Sequence, residues 1–164
     1  VVATVMSNLG LEKYLNGIGV QLKRTPVGDR YVVEEMRRLN YNLGGEQSGH
    51  IVMTDFMTTG DGLVAALQFL EELVIGERPA SEMLNKFVAY PQVIKNIEYS
   101  DNMDLFQSGP IKKIINESER RLGSDGRLLI RKSGTEPLVR IMAEHHDESL
   151  INEVIYLISE ATKR

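Results

Sequence analysis

The sequence lacks cysteine, a basic excess and any long apolar run, and each absence narrows what the protein can be. Without cysteine among its 164 residues, it forms neither disulfide bonds nor cysteine-ligated zinc sites. Its 19 lysines and arginines are outnumbered by 23 acidic residues, so no positive surplus is available to neutralise a nucleic-acid backbone. No apolar run approaches the roughly 20 residues that span a bilayer. We therefore expect a cytoplasmic protein with no nucleic acid and no membrane among its partners.

The most informative motif is the run RKSGTEP at residues 131–137, which lies between two apolar, strand-like segments. A phosphate dianion is typically held by guanidiniums, hydroxyls and exposed backbone amides. This run and the arginine just beyond it supply all three: Arg131, Ser133, Gly134, Thr135 and Arg140. The RKSGTEP motif therefore predicts a phosphate site. A solvated polar hairpin is the alternative that the local composition leaves open.

A second motif, the GGEQSGH loop at residues 44–50, places an acid, an amide and a hydroxyl between glycines, with an imidazole directly after them. Carboxylate and hydroxyl side chains on a tight loop suit adjacent sugar hydroxyls. Glu46 and Ser48 are therefore candidate sugar ligands. Taken alone, the motif is more typical of an ordinary structural turn, because glycine-flanked polar turns are common.

Together, and in this order, the two motifs resemble those of the alpha-D-phosphohexomutase superfamily, whose members move a phosphoryl group between two positions of a hexose phosphate. Two further runs carry the resemblance, RTPVGDRYV at residues 24–32 and TGDGL at residues 59–63. The likeness spans nearly the whole chain and is strongest to members that act on hexosamine phosphates. The alternatives are the same reaction on mannose or glucose phosphates, and a non-catalytic phosphosugar-binding module.

The resemblance implies that this sequence is the C-terminal part of a larger enzyme. Superfamily members have four domains; the first carries a phosphorylatable serine and the second an aspartate-rich loop that holds Mg²⁺, and neither pattern occurs here. We expect residues 1–88 to be a partial third domain with the sugar-binding loop, and residues 89–164 to be the phosphate-binding fourth domain. The implied partners are a hexosamine phosphate and the N-terminal domains, with Mg²⁺ bound in the second of them. A homodimer is left open, and the chain alone is expected to be inactive.

The resemblance also implies a role for each motif. Glu46 and Ser48 would grip mid-ring hydroxyls, and the RKSGTEP motif would hold the phosphate that is not reacting. His50 would lie near the reacting hydroxyl, where a neutral imidazole accepts a proton, although a structural histidine is nearly as compatible. Asp29 and Arg30, in the VGDR turn at residues 27–30, would face the sugar and discriminate between hexoses. Asp29 is equally well placed to be only a helix cap.

Hydrophobic spacing predicts the fold class. Strand-like and helix-like segments alternate as far as about residue 76, and the order changes after Pro91 to strand, helix, paired strands and helix. The predicted architecture is a partial α/β third domain with a mixed sheet, followed by a smaller α+β C-terminal domain.

Several local features are predicted with it. Asn8, Asp61 and Ser81 are expected to cap helices. The two neighbouring histidines, His145 and His146, are expected at the surface because they follow a strand. In the longest helix, the face predicted to point inward consists of Leu63, Ala66, Leu67, Leu70 and Val74.

Overall fold

Two separate sheets organise the part of the chain that the structure describes. The computed structural model describes residues 1–98, 106, 109–133 and 136–162. The chain divides into two units, Val1–Ala89 and Tyr90–Arg164, each of which contains one of the sheets. The α/β unit followed by a smaller α+β unit, as expected from the sequence, is confirmed.

Short strands and helices alternate along the first unit. Its strands are β1 (Val2–Thr4), β2 (Lys23–Thr25), β3 (Leu43–Gly45) and β4 (Ile51–Met53). Its helices are α1 (Leu9–Gly17), α2 (Asp29–Leu39), α3 (Gly62–Gly76) and α4 (Ala80–Leu84). The sheet order is β2-β1-β3-β4, in which β1 is parallel to β2 and β3 while β4 is antiparallel to β3. The predicted mixed sheet is therefore present, with strands of only three residues.

Two of the helix caps predicted in this unit are confirmed. The side-chain oxygen of Asn8 accepts a hydrogen bond of 2.8 Å from the backbone N–H of Gly10 at the start of α1. Asp61 accepts from the N–H groups of Leu63 and Val64, which satisfies two of the donors that open α3.

The capping roles considered for Asp29 and Ser81 are wrong. Gly28 occupies the cap position of α2, so Asp29 is already the first helical residue and its carboxylate accepts from the N–H of Arg30. Pro79 occupies the cap position of α4, which leaves Ser81 inside that helix. In both cases the helix begins earlier in the sequence than it would if the polar residue were its cap.

A small apolar core lies between α2 and the sheet. Its buried members are Val2, Val32, Met36 and Val52. Gly44 on β3 faces this helix, and a methyl group on its Cα would collide with the side chains of Met36 and Val32. The absence of a side chain at Gly44 therefore lets α2 lie directly against the strand that leads into the GGEQSGH loop.

The prediction that one face of α3 points inward is wrong. No residue of α3 is buried, and the large apolar side chains of the predicted face are exposed. Leu63, Leu67, Leu70 and Val74 are 70%, 55%, 53% and 78% exposed. The main contact of α3 within the described residues is with β4. Helical spacing identifies which residues share a face, but it does not establish that another element lies against that face.

The second unit is an antiparallel sheet covered by two helices. Its elements are β5 (Gln92–Glu98), α5 (Gly109–Leu122), β6 (Gly126–Lys132), β7 (Leu138–His145) and α6 (Glu148–Ala161). The strand order is β5-β7-β6. Alternate residues of β7 pack with buried residues of α5 and α6, which include Ile115 and Ile155. The helices, and the pair of strands around the RKSGTEP motif, are as predicted.

The expectation that His145 lies at the surface is wrong, whereas His146 is exposed as predicted. His145 is only 7% exposed, and its Nδ1 accepts a hydrogen bond of 2.9 Å from the backbone N–H of Asp147. Asp147 itself caps α6 through the N–H groups of Ser149 and Leu150. His145 is therefore part of the junction at which β7 ends and α6 begins.

Candidate functional site

The GGEQSGH loop is the tip of the hairpin formed by β3 and β4. Gly45 pairs with Ile51, and the backbone N–H of Glu46 donates to the carbonyl of His50 over 2.9 Å. The backbone N–H of Gly49 donates a hydrogen bond of 3.0 Å to the carbonyl of Glu46. These bonds fix the two ends of the loop against each other, so the side chains along it have defined neighbours.

Three of the predicted site residues meet on this loop. The hydroxyl of Ser48 lies 3.0 Å from Oε2 of Glu46 and 2.9 Å from Nδ1 of His50. Glu46 is half-buried, whereas Ser48 and His50 are exposed. A carboxylate, a hydroxyl and an imidazole in contact can accept from and donate to neighbouring hydroxyl groups of a polyol.

The VGDR turn is attached directly to this loop. The backbone N–H of Gly28 donates to Oε1 of Glu46 over 2.9 Å. Gly28 has a φ of 129°, a backbone conformation that side-chain-bearing residues rarely adopt. Asp29, Glu46 and His50 line the same small depression. The structure therefore brings these three predicted residues together, and Gly28, which the sequence did not single out, makes the connection.

Arg30 lies against the aromatic ring that follows it in the sequence. Its guanidinium carbon is 4.6 Å from the centre of the Tyr31 ring, and one of its terminal nitrogens donates to the Tyr31 hydroxyl over 3.1 Å. A cation over an aromatic face is stabilised by the ring quadrupole. Tyr31 was not predicted as a site residue, and the adjacent Arg-Tyr pair was the signal that could have identified it.

A larger cleft of about 510 Å³ adjoins the GGEQSGH loop within the first unit. Its polar lining includes Glu46, Gln47 and His50. Its apolar lining includes Ala3, Leu11, Leu43, Ile51 and Phe87. The loop thus borders both a small depression and an open, largely apolar cleft.

The second predicted site lies where β6 ends and β7 begins. Arg131 on β6 and Arg140 on β7 are direct cross-strand partners. The backbone N–H of Ser133 donates to the carbonyl of Leu138 over 2.8 Å and closes the connection. Gly134 and Thr135, both predicted phosphate ligands, lie outside the described residues. The hairpin expected from the sequence thus places two guanidiniums side by side.

The environment of Arg131 favours an anion. Burial, and then the like charge of Arg140, lowers the pKa of Arg131 from its ordinary value. Among the described residues, Nε of Arg131 is buried without a hydrogen-bond partner. A buried donor left unpaired is costly, and two adjacent positive charges repel each other. A dianion at this position would relieve both costs, so the residues present fit a phosphate group.

Arg140 is oriented by a residue that the sequence did not suggest. Its Nε donates to the side-chain oxygen of Asn96 over 3.0 Å, and the two residues face each other across β5 and β7. Nothing in the local sequence around Asn96 indicates this role, because the contact depends on the register between two strands that are distant in sequence.

The described residues contain no group of three or more histidine, aspartate or glutamate side chains arranged to hold a metal ion. In the same residues, no helix is both long enough and apolar enough to cross a membrane.

Two family descriptions match almost the entire chain. Phosphoglucomutase/phosphomannomutase alpha/beta/alpha domain III matches residues 1–90, and the C-terminal domain of the same family matches residues 94–160. The chain belongs to this family, which is the alpha-D-phosphohexomutase superfamily that its motifs indicated.

Within the family, the chain is similar to phosphoglucosamine mutases. It is 57% identical to that of Cereibacter sphaeroides over 99% of its length, and 58% identical to that of Rhodospirillum rubrum over 94% of its length. The chain spans 36% and 35% of the lengths of these two relatives.

Solved structures share the fold at low sequence identity. The N-acetylphosphoglucosamine mutase of Aspergillus fumigatus superposes on 99% of this chain with a TM-score of 0.80 and 18% identity, and the match covers 38% of that protein. Its complex with GlcNAc-6P and magnesium superposes with a TM-score of 0.78 and 19% identity, covering 98% of this chain and 38% of that protein. These likenesses establish that both units have the superfamily fold.

Proposed function

We propose that this chain is the C-terminal, substrate-binding part of a phosphoglucosamine mutase. The complete enzyme would interconvert glucosamine 6-phosphate and glucosamine 1-phosphate, in the cytoplasm, through a phosphoserine and a bisphosphate intermediate. The observation that carries the proposal is the 57% identity to the phosphoglucosamine mutase of Cereibacter sphaeroides over 99% of the chain. Residues 1–88 would supply the sugar contacts and residues 89–164 the phosphate contacts.

In the sugar-binding part, Glu46 and Ser48 would bind hydroxyl groups near the middle of the hexose ring. The contact between their side chains supports a shared role, since adjacent ring hydroxyls present donors and acceptors at similar spacing. Mid-ring contacts remain usable when the bisphosphate intermediate turns end for end. Asp29 and Arg30 would discriminate between hexoses, with the carboxylate of Asp29 pairing with the substrate ammonium.

In the phosphate-binding part, Arg131 and Arg140 would hold the phosphate that is not reacting, together with Ser133, Gly134 and Thr135. The unpaired buried Nε of Arg131 and the repulsion from Arg140 support this assignment. Phosphoryl transfer depends mainly on positioning and charge stabilisation, because the protein has little covalent chemistry to do. These residues would therefore contribute by orienting the substrate.

His50 would accept the proton of the sugar hydroxyl that attacks phosphorus. Its place beside Glu46 and Asp29 supports this role, as does the exposure of its ring. The phosphoserine and the Mg²⁺ that neutralises charge on the transferring group would be supplied by the N-terminal domains of the enzyme. For that reason we expect the chain alone to have no mutase activity.

A chimera tests the proposal most directly. In it, this chain replaces the matching C-terminal segment of the Cereibacter sphaeroides enzyme, and turnover of glucosamine phosphate is measured by a coupled assay. The expected result is turnover that is lost when Arg131 is replaced by Ala. A folded chimera that binds neither substrate nor phosphate would contradict the proposal.

The same chimera separates the two alternatives. The family description covers phosphoglucomutases and phosphomannomutases, so glucose or mannose phosphate is the runner-up substrate. A higher kcat/KM for either of these than for glucosamine phosphate would establish it. Phosphosugar binding without turnover would indicate a non-catalytic module.

A further inference from the structure

We propose that Ser48 is a positioning residue that fixes the tautomer of His50 and leaves Nε2 of that ring as the proton acceptor. The inference deepens the proposed function and rests on it only for the use of His50 as a base. It is carried by the relay Glu46–Ser48–His50, in which one hydroxyl lies between a carboxylate and an imidazole.

The proton count assigns a direction to each bond in the relay. Ser48 has a single hydroxyl proton, and an ionised carboxylate has none to donate. The contact of 3.0 Å between Ser48 and Oε2 of Glu46 therefore uses the proton of Ser48. The contact of 2.9 Å between Ser48 and Nδ1 of His50 must then use a proton on that nitrogen. In the neutral ring this leaves Nε2 with a lone pair and no proton.

Backbone contacts keep the carboxylate of Glu46 in this orientation. Its Oε1 accepts from the N–H of Gly28 over 2.9 Å, so rotation of the side chain would break that bond as well. The backbone of Glu46 is bonded to that of His50 across the hairpin. The VGDR turn thus influences the protonation of a ring on a different loop, through Glu46 and Ser48.

This arrangement suits a base that acts at Nε2. The proton of a sugar hydroxyl passes to Nε2, and the electron pair of the O–H bond stays on the sugar oxygen. The resulting imidazolium keeps its Nδ1 proton directed at Ser48, and the hydroxyl proton of Ser48 stays on Ser48, directed at Glu46. The negative carboxylate therefore stabilises the new charge through one intervening hydroxyl. Glu46 and Ser48 each retain a lone pair for a sugar hydroxyl.

The glutamine variant makes the relay testable. In Glu46→Gln the amide oxygen must face the N–H of Gly28, which turns the amide NH₂ towards Ser48. Ser48 then accepts from this group, and its own proton is free to be donated to Nδ1 of His50. The variant is isosteric, so it should reverse the tautomer without altering the loop. One hydrogen bond of ordinary net strength shifts such an equilibrium by about fivefold.

The experiment is two-bond ¹H–¹⁵N NMR of the histidine rings of the chain at about pH 8.5, above the ordinary histidine pKa of about 6.5. His50→Gln identifies the signal. We expect the Nδ1–H tautomer to dominate in the wild type and in Ser48→Thr, and the Nε2–H tautomer to rise at least about fivefold in Glu46→Gln. Gln47→Ala, a change on the same loop outside the relay, should leave the ratio as in the wild type.

A wild-type ring that is mainly Nε2–H would overturn the proposal, as would an unchanged ratio in Glu46→Gln. Loss of the preference in Ser48→Ala with retention in Ser48→Thr would support a role for the hydroxyl rather than for packing. The result is independent of turnover. If the tautomer behaves as expected but the chimera carrying His50→Gln keeps full activity, the relay stands and only the use of His50 as a base fails.

Discussion

The two units differ in how much apolar structure supports their candidate sites. Among the described residues, the buried cluster of the second unit has eleven members, whereas that of the first unit has four. The RKSGTEP motif connects strands of seven and eight residues, and the GGEQSGH loop connects strands of three. The candidate phosphate site is thus held mainly by the packing of a sheet against two helices.

The candidate sugar site is held instead by specific polar contacts and glycines. The bond from Gly28 to Glu46 joins the VGDR turn to the loop, and Gly44 lets α2 lie close to β3. The positions of the two candidate sites therefore depend on different physical causes. Substitutions of core residues should lower the stability of the second unit most. Substitutions of glycines that constrain the backbone should lower the stability of the first.

The largest effect is expected from a cavity in the core of the second unit. Ile141 on β7 is fully buried, so Ile141→Ala should lower the free energy of unfolding by about 2–5 kcal/mol. The contrasting change in the first unit is Leu63→Ala on α3, which lies outside the four-residue core of that unit. Its side chain is 70% exposed, and the expected change is within about 0.5 kcal/mol. Urea denaturation followed by circular dichroism measures both. Equal losses of unfolding free energy in the two variants would contradict the proposed difference between the two units.

A smaller effect is expected from the backbone of the VGDR turn. Gly28→Ala places a side chain at a φ of 129°, which should cost about 1–3 kcal/mol of stability and weaken the bond to Glu46. Gly62→Ala is the control, because nothing lies within 4 Å of a methyl group there and the residue opens a helix. Denaturation of both variants gives the comparison. If Gly28→Ala is as stable as Gly62→Ala, the turn is not constrained as described.

The next effect concerns the choice of hexose. Asp29 lines the same depression as Glu46, and its carboxylate is exposed. In the chimera, Asp29→Asn should narrow the preference for glucosamine phosphate over glucose phosphate by about 1–2 kcal/mol, the scale of one charge-assisted bond. The ratio of kcat/KM values measures it. Glu34→Gln, at another exposed carboxylate on α2, is the control and should leave this ratio unchanged. An unchanged ratio in Asp29→Asn would mean that Asp29 does not discriminate between the hexoses.

The smallest effect is a pH dependence in the second unit. Hydrogen bonds from the Ser149 side chain and from the backbone N–H of Leu150 hold the pKa of Asp147 below its ordinary value. A depressed folded-state pKa stabilises the fold above the unfolded pKa of about 3.9, and that contribution is lost as the pH falls through the folded value.

Wild-type stability should therefore fall more steeply than that of Asp147→Asn below about pH 4. Asparagine also caps helices well, so the variant keeps the start of α6 while removing the titrating group. Thermal unfolding in steps from pH 6 downwards measures the difference. Parallel curves for the two proteins would mean that Asp147 does not contribute to the acid sensitivity.

Local patterns predicted the order and type of the elements well, because spacing and caps are encoded within a few residues. The predictions failed where the burial of a residue depends on which other element packs against it. The apolar face of α3 follows helical spacing, yet it has no large covering element among the described residues. His145 looked like a strand-end surface residue, but the turn into α6 buries it.

In the candidate site, too, local sequence patterns predicted the contacts between neighbouring residues but not those between distant ones. The motifs located Glu46, Ser48 and His50 because they lie on one loop, and the structure brings them into contact. The contacts that orient the site, from Gly28 to Glu46 and from Arg140 to Asn96, join residues 18 and 44 positions apart. No local pattern encodes such pairs, because they follow from the sheet order and register.

Titration of the chain with inorganic phosphate shows whether the connection between β6 and β7 is a phosphate site centred on Arg131. Amide NMR should show shifts clustered at residues 131–140. Arg131→Ala should weaken binding by about 1.5–3 kcal/mol, and Arg131→Lys should recover only part of it, because an ammonium cannot make the two-pronged contact. Arg120→Ala, at an exposed arginine of the same unit, should bind as the wild type does. Shifts that cluster elsewhere, or an affinity unchanged by Arg131→Ala, would mean that the motif is an ordinary polar hairpin.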